Sequence, residues 1–119
     1  MWKKINEVVE KLKNQNVLAV ILYGSYGKEY FREDSDIDIC VVAPKANKQK
    51  LFEKTLELMQ DERIDIKIFE LMPLHLKIKV IREGKILWTK DEKELSYYFW
   101  QFMKIWEDEE IAMRKLKNI

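Results

Sequence analysis

Ile5, Val8, Val9 and Leu12 recur at the three-and-four spacing of a helix, which predicts an amphipathic helix over about 2–14. Asn14-Gln15-Asn16 ends it. From Val17 to Tyr23 the chain is apolar without a break and of strand length, so it reads as a buried strand. Gly24 to Ser35 is a polar connection. A second strand is expected from Asp36 to Ala43, with Ile37, Ile39 and Val41 on one side and Asp36, Asp38 and Cys40 on the other. Pro44 and Asn47 mark a loop, and Leu51, Phe52, Thr55, Leu56, Leu58 and Met59 predict a helix over about 48–60. From Ile64 to Phe69, Ile64, Ile66 and Ile68 alternate with Asp65 and Lys67, the pattern of a half-buried strand. Pro73 and Gly84 bracket a short helix, and Lys85 to Thr89 reads as a short edge strand. Asp91 followed by Glu94 is the capping box of a long final helix over about 92–116.

This order predicts an α+β fold: a small mixed β-sheet with helices packed on one face. The other face is expected to stay open and to carry the acids, since Asp36 and Asp38 share one side of their strand and Asp65 lies on the polar side of its own. At 119 residues the chain is a single domain, 1–119. Its 22 basic and 21 acidic residues leave a formal charge of +1, which argues against a dedicated nucleic-acid binder. One cysteine, Cys40, excludes an internal disulfide and fits a reducing cytoplasm. No stretch reads as a signal peptide or a membrane span.

Two carboxylates on one strand face, beside a glycine turn that presents backbone N–H groups, suit divalent metal and phosphate. Gly24 lets backbone approach a triphosphate. Ser25 can donate its hydroxyl and N–H to a phosphate, or cap a following helix. Lys28 and Arg32 are partners for the remaining phosphate charge, or plain surface charges. Cys40 lacks a partner base and reads as a small buried hydrophobe. His75, the one histidine, has no ligand at metal spacing and reads as structural or surface.

Gly24-Ser25, ten residues, then Asp36-Ile37-Asp38, with Asp65 on a later strand, resembles the signature of the DNA polymerase β-type nucleotidyltransferases. The chain is most similar to their minimal members (MNT), the antitoxins of HEPN/MNT toxin–antitoxin pairs. The resemblance implies a polymerase β-like fold in which Asp36, Asp38 and Asp65 bind two Mg²⁺ ions, Mn²⁺ being an alternative. It implies ATP as substrate, and AMP transfer to a tyrosine of a HEPN-domain toxin as the activity. Two other readings stay open: transfer to a small molecule or RNA end with the help of a partner subunit, and an antitoxin that neutralises by contact alone. Many minimal members read Gly-Ser-x-Ala-Arg-Gly, whereas this chain has Gly24-Ser-Tyr-Gly-Lys-Glu29. Lys28 therefore stands where Arg is usual, which implies a looser phosphate clamp.

The final helix carries one further signal. Leu95, Tyr98, Phe99, Phe102 and Trp106 form a single stripe of core type, while Tyr97 and Trp100 fall off it. Those two either cover a loop or mark an interface, through which the chain would form a homo- or hetero-oligomer.

Overall fold

The computed structural model describes residues 2–24, 36–60 and 63–117. Along the chain run α1 (Trp2–Lys13), β1 (Ala19–Tyr23), β2 (Ile37–Val42), α2 (Lys48–Leu58), β3 (Ile64–Ile68), α3 (Leu74–Glu83), β4 (Lys85–Thr89) and α4 (Glu92–Lys117). A single 3₁₀ turn, Phe69–Leu71, follows β3. Each predicted element is present, with ends moved by a few residues.

Local chemistry explains the boundaries. Asn16 takes a left-handed conformation (φ 57°), which asparagine tolerates better than most residues, and its side-chain amide donates to the Lys45 carbonyl at 3.1 Å. Asn47 caps α2 by accepting from the Lys50 N–H at 3.1 Å. Asp91 caps α4, its Oδ1 accepting from the N–H groups of Lys93 and Glu94 at 3.0 and 3.2 Å. The capping box is only half formed. Glu94 turns its carboxylate instead to Lys45, 3.4 Å away.

The strands form one mixed sheet in the order β3-β2-β1-β4. β1 is antiparallel to both β2 and β4, while β2 and β3 are parallel, joined through α2. α1 and α2 cover one face, where Ile5, Leu12 and Leu51 pack on Val20, Leu22, Ile39 and Ile66.

The expectation that all helices share one face is overturned. α3 and α4 lie on the opposite, acid-bearing face, where Val80 and Leu95 join Phe69 over Ala19, Ile21, Cys40 and Val42. The reason lies in those sheet residues. Four apolar side chains on that face need cover, and the unbroken apolar run of β1 is what a strand buried on both sides looks like. Among the described residues, the end of the face that bears Tyr23, Asp38 and Asp65 lacks such fully buried apolar side chains. Phe69 anchors the second layer, within 5.2 to 5.8 Å of the Tyr98, Phe99 and Phe102 rings. Beneath them Glu70 accepts from the Tyr98 hydroxyl at 2.8 Å and from the Ala43 N–H at 2.9 Å. This carboxylate ties α4 to the end of β2.

Candidate active site

Parallel pairing sets Asp38 directly beside Asp65, as it sets Ile37 beside Ile64. Neighbouring strands lie roughly 4.8 Å apart, so two carboxylates project from one face at that spacing. Tyr23 is the antiparallel partner of Asp38 on the other side. The three side chains thus form a row across β1, β2 and β3. Asp36 stands two residues upstream of Asp38, just before the strand begins, and is exposed.

Gly24 closes the end of this row. Its φ of 82° lies in the left-handed region that disfavours side chains. A Cβ there would overlap Oδ2 of Asp38 and stand 3.1 Å from its Cγ and 3.3 Å from its Cβ. The glycine therefore makes room for the carboxylate itself.

The electrostatics reflect this crowding. Burial pushes the Asp38 carboxyl above its ordinary value, and Asp65 and then Asp36 add to the push, while Lys67 and Lys79 oppose it. The Tyr23 hydroxyl is raised as well, by burial first and then by Asp38, Cys40 and Asp65. Lys67 Nζ is 3.8 Å from Asp65 Oδ2, a loose pair with both side chains well exposed. Cys40 is fully buried and its thiol is pushed up by burial and by Glu70, so it behaves as a small hydrophobe.

Of the expected site residues, Gly24, Asp36, Asp38 and Asp65 come together at the open end of the sheet. Ser25, Lys28 and Arg32 lie outside the described residues. His75 is exposed on α3. Tyr23, Lys67 and Lys79 join the site without having been singled out. Lys67 was findable, since it follows Asp65 by two residues on the same strand face. Lys79 had no local signal, because only the docking of α3 brings it near.

Among the described residues, no three carboxylate, imidazole or thiol groups form a ready-made metal cage. Mg²⁺ does not require one. It commonly takes one or two carboxylates and completes its shell with phosphate and water. Adjacent hard oxygen donors, held together despite their mutual repulsion, fit such an ion.

Residues 3–93 match the family model described as polymerase beta, nucleotidyltransferase. The chain belongs to that nucleotidyltransferase family. It is 41% identical over 101 residues to a Methanocaldococcus jannaschii protein named as a candidate protein adenylyltransferase, a match covering 83% of this chain and 77% of that one. The fold is shared with solved toxin–antitoxin structures. One, a complex with AMP-PNP, superposes with a TM-score of 0.75 at 19% identity, over 95% of this chain and 94% of that chain. Another holds a tri-AMPylated Shewanella oneidensis HEPN toxin with its MNT antitoxin, with a TM-score of 0.73 at 18% identity over 98% and 95% of the two chains. No helix among the described residues is long and apolar enough to cross a membrane.

Proposed function

We propose that this member of the family is a Mg²⁺-dependent protein adenylyltransferase that transfers AMP from ATP to a tyrosine hydroxyl of a HEPN-type toxin, and so acts as its antitoxin. The observation that carries this reading is the pairing of Asp38 with Asp65 on adjacent strands, beside Gly24 and at the open end of the sheet. Such a site suits transfer of a phosphoryl group far better than a contact-only role, because packed like charges are costly without a ligand. The candidate adenylyltransferase relative and the AMPylated toxin in the similar complex support the choice of nucleotide and acceptor.

In the reaction the acceptor oxygen bonds to the α-phosphorus, the bond to the bridging oxygen breaks, and pyrophosphate leaves. Two divalent ions, when bound, stabilise the charge on the attacking and leaving oxygens. Asp36 and Asp38 are assigned to hold them. Asp65, on the edge strand, would complete one ligand set and take the proton that the acceptor hydroxyl loses as its oxygen bonds to phosphorus. Gly24 and Ser25 present donors to the triphosphate, with Lys28 and Arg32 against its remaining charge. Alignment of the acceptor can be worth roughly 7–11 kcal/mol of the barrier. Nothing among the described residues supplies that alignment, so the chain alone should turn over ATP only at trace level.

Intact-mass spectrometry of the chain with its toxin, ATP and Mg²⁺ tests the reading. The expected product is the toxin heavier by one or more AMP units, with no product from the Asp38→Asn variant. A toxin that binds tightly and is silenced without gaining mass would establish neutralisation by contact.

A further inference from the structure

The outward side of α4 is left uncovered by the described residues. Tyr97, Trp100 and Ile111 are 63%, 57% and 51% exposed. At 100° per residue they fall on one stripe, together with Lys104 and Glu107. The Tyr97 and Trp100 rings stack on each other 6.1 Å apart. From Glu107 onward nearly every residue of the helix is exposed, so its last three turns gain little from the core. A helical stretch of that length is marginal by itself in water.

The charges along the stripe are ordered and unspent. Among the described residues, Lys104, Glu107 and Arg114 make no ion pair. Tyr97, Lys104 and Ile111 repeat every seven residues, as do Trp100, Glu107 and Arg114. In an antiparallel pair of identical helices, one set faces the other. When Lys104 meets Glu107 of the second copy, the same register seats Ile111 against Trp100 and Tyr97 beneath Arg114. These are an ion pair, an apolar contact and a cation–π contact, each formed twice by symmetry. The parallel arrangement would instead set Lys104 on Lys104 and Glu107 on Glu107. Of the two orientations, only the antiparallel one is complementary in charge.

We propose that this chain self-associates through an antiparallel α4–α4 contact, with a two-fold axis between Ile105 and Trp106. The contact spans about 26 Å of helix, counted from Tyr97 to Arg114 at 1.5 Å per residue. That is small for a specific interface, so the dimer is weak and depends on concentration and salt. None of the contact residues belongs to the strand row of Tyr23, Asp38 and Asp65, so both copies should keep their sites.

Sedimentation equilibrium of the full chain over a wide concentration range tests this. The average mass should climb from the 14.5 kDa of the monomer towards twice that value. Lys104→Glu and Glu107→Lys should each hold the chain monomeric, and the double variant carrying both changes should restore the dimer. Circular dichroism on each variant separates loss of contact from loss of helix. A monomer at every concentration would overturn the proposal, as would a dimer that the single reversals leave intact or the double change fails to restore. A chain that stays monomeric but binds its toxin through Trp100 would assign this face to the hetero-complex and refute self-pairing.

Discussion

Replacing Gly24 by alanine strikes the site at one atom. Two costs are legible in the structure. The first is the backbone: φ is 82° at this position, and a left-handed conformation costs a residue with a Cβ about 1–2 kcal/mol. The second is steric. The new methyl group would overlap Asp38 Oδ2 while standing 3.3 Å from Asp38 Cβ, so the carboxylate must swing away. In thermal melting the backbone cost alone should lower Tm by roughly 4–8 °C, and displacement of the carboxylate should lower it further. That displacement should also appear in AMP transfer to the toxin as a loss of about 10²-fold, the scale expected when a reacting group is misplaced by about 1 Å. A double-mutant cycle separates the two. In the Asp38→Ala background the overlap is gone, so Gly24→Ala should cost only its backbone share. Coupling between the two positions should therefore exceed the roughly 0.3–0.5 kcal/mol within which independent sites add. Strict additivity, or an active and fully stable Gly24→Ala, would refute the close approach of Gly24 to Asp38.

Asp38→Asn should abolish transfer yet raise Tm at neutral pH. The folded-state pKa of Asp38 is raised, so its favourable contribution is present below the ordinary 3.8 and is lost as pH rises through the folded value. The Tm advantage of the variant should accordingly shrink on acidification through that window; a variant less stable at neutral pH would make the acid structural. Tyr98→Phe removes a hydrogen bond to a part-buried carboxylate and should cost about 1.5–3 kcal/mol in urea unfolding. Its transfer activity should be intact, and an unchanged midpoint would show that Glu70 does not tie α4 to the sheet. Chelation of divalent ions should weaken ATP binding severalfold or more in calorimetric titration, and equal affinity with and without metal would eliminate a metal-bridged site.

Much of this was legible in the sequence because periodicity reports directly on strands and helices. The alternation around Asp65 is a local property and carried over to the structure, whereas the strand expected to begin at Asp36 begins one residue later and leaves that acid outside it. The rest of what did not carry over depends on docking. The apolar run from Val17 to Tyr23 was readable as a strand, but its lack of alternation also signalled cover on both faces, and that second message was missed. Lys79 approaches Asp38 only because α3 crosses the sheet. Glu94 leaves its expected cap for Lys45, a contest between two partners of similar strength that spacing cannot decide. The glycine at position 24 was expected for the sake of a ligand, whereas its neighbour Asp38 already demands it.

The parallel register of β2 and β3 makes the site discrete. The interval between Asp38 and Asp65 is one inter-strand hydrogen-bond spacing, and that between Asp36 and Asp38 is two residues of backbone. Neither interval can be tuned by enlarging or trimming core side chains, which shift strands by fractions of that spacing. A slip of one residue in β3 would turn Asp65 to the buried side and bring an isoleucine into its place. Variation in this chain can therefore lose the acid pair in a single step, but cannot adjust its width by degrees. Gradual change is left to the parts that border it: the lysines at 67 and 79, and whatever delivers the acceptor.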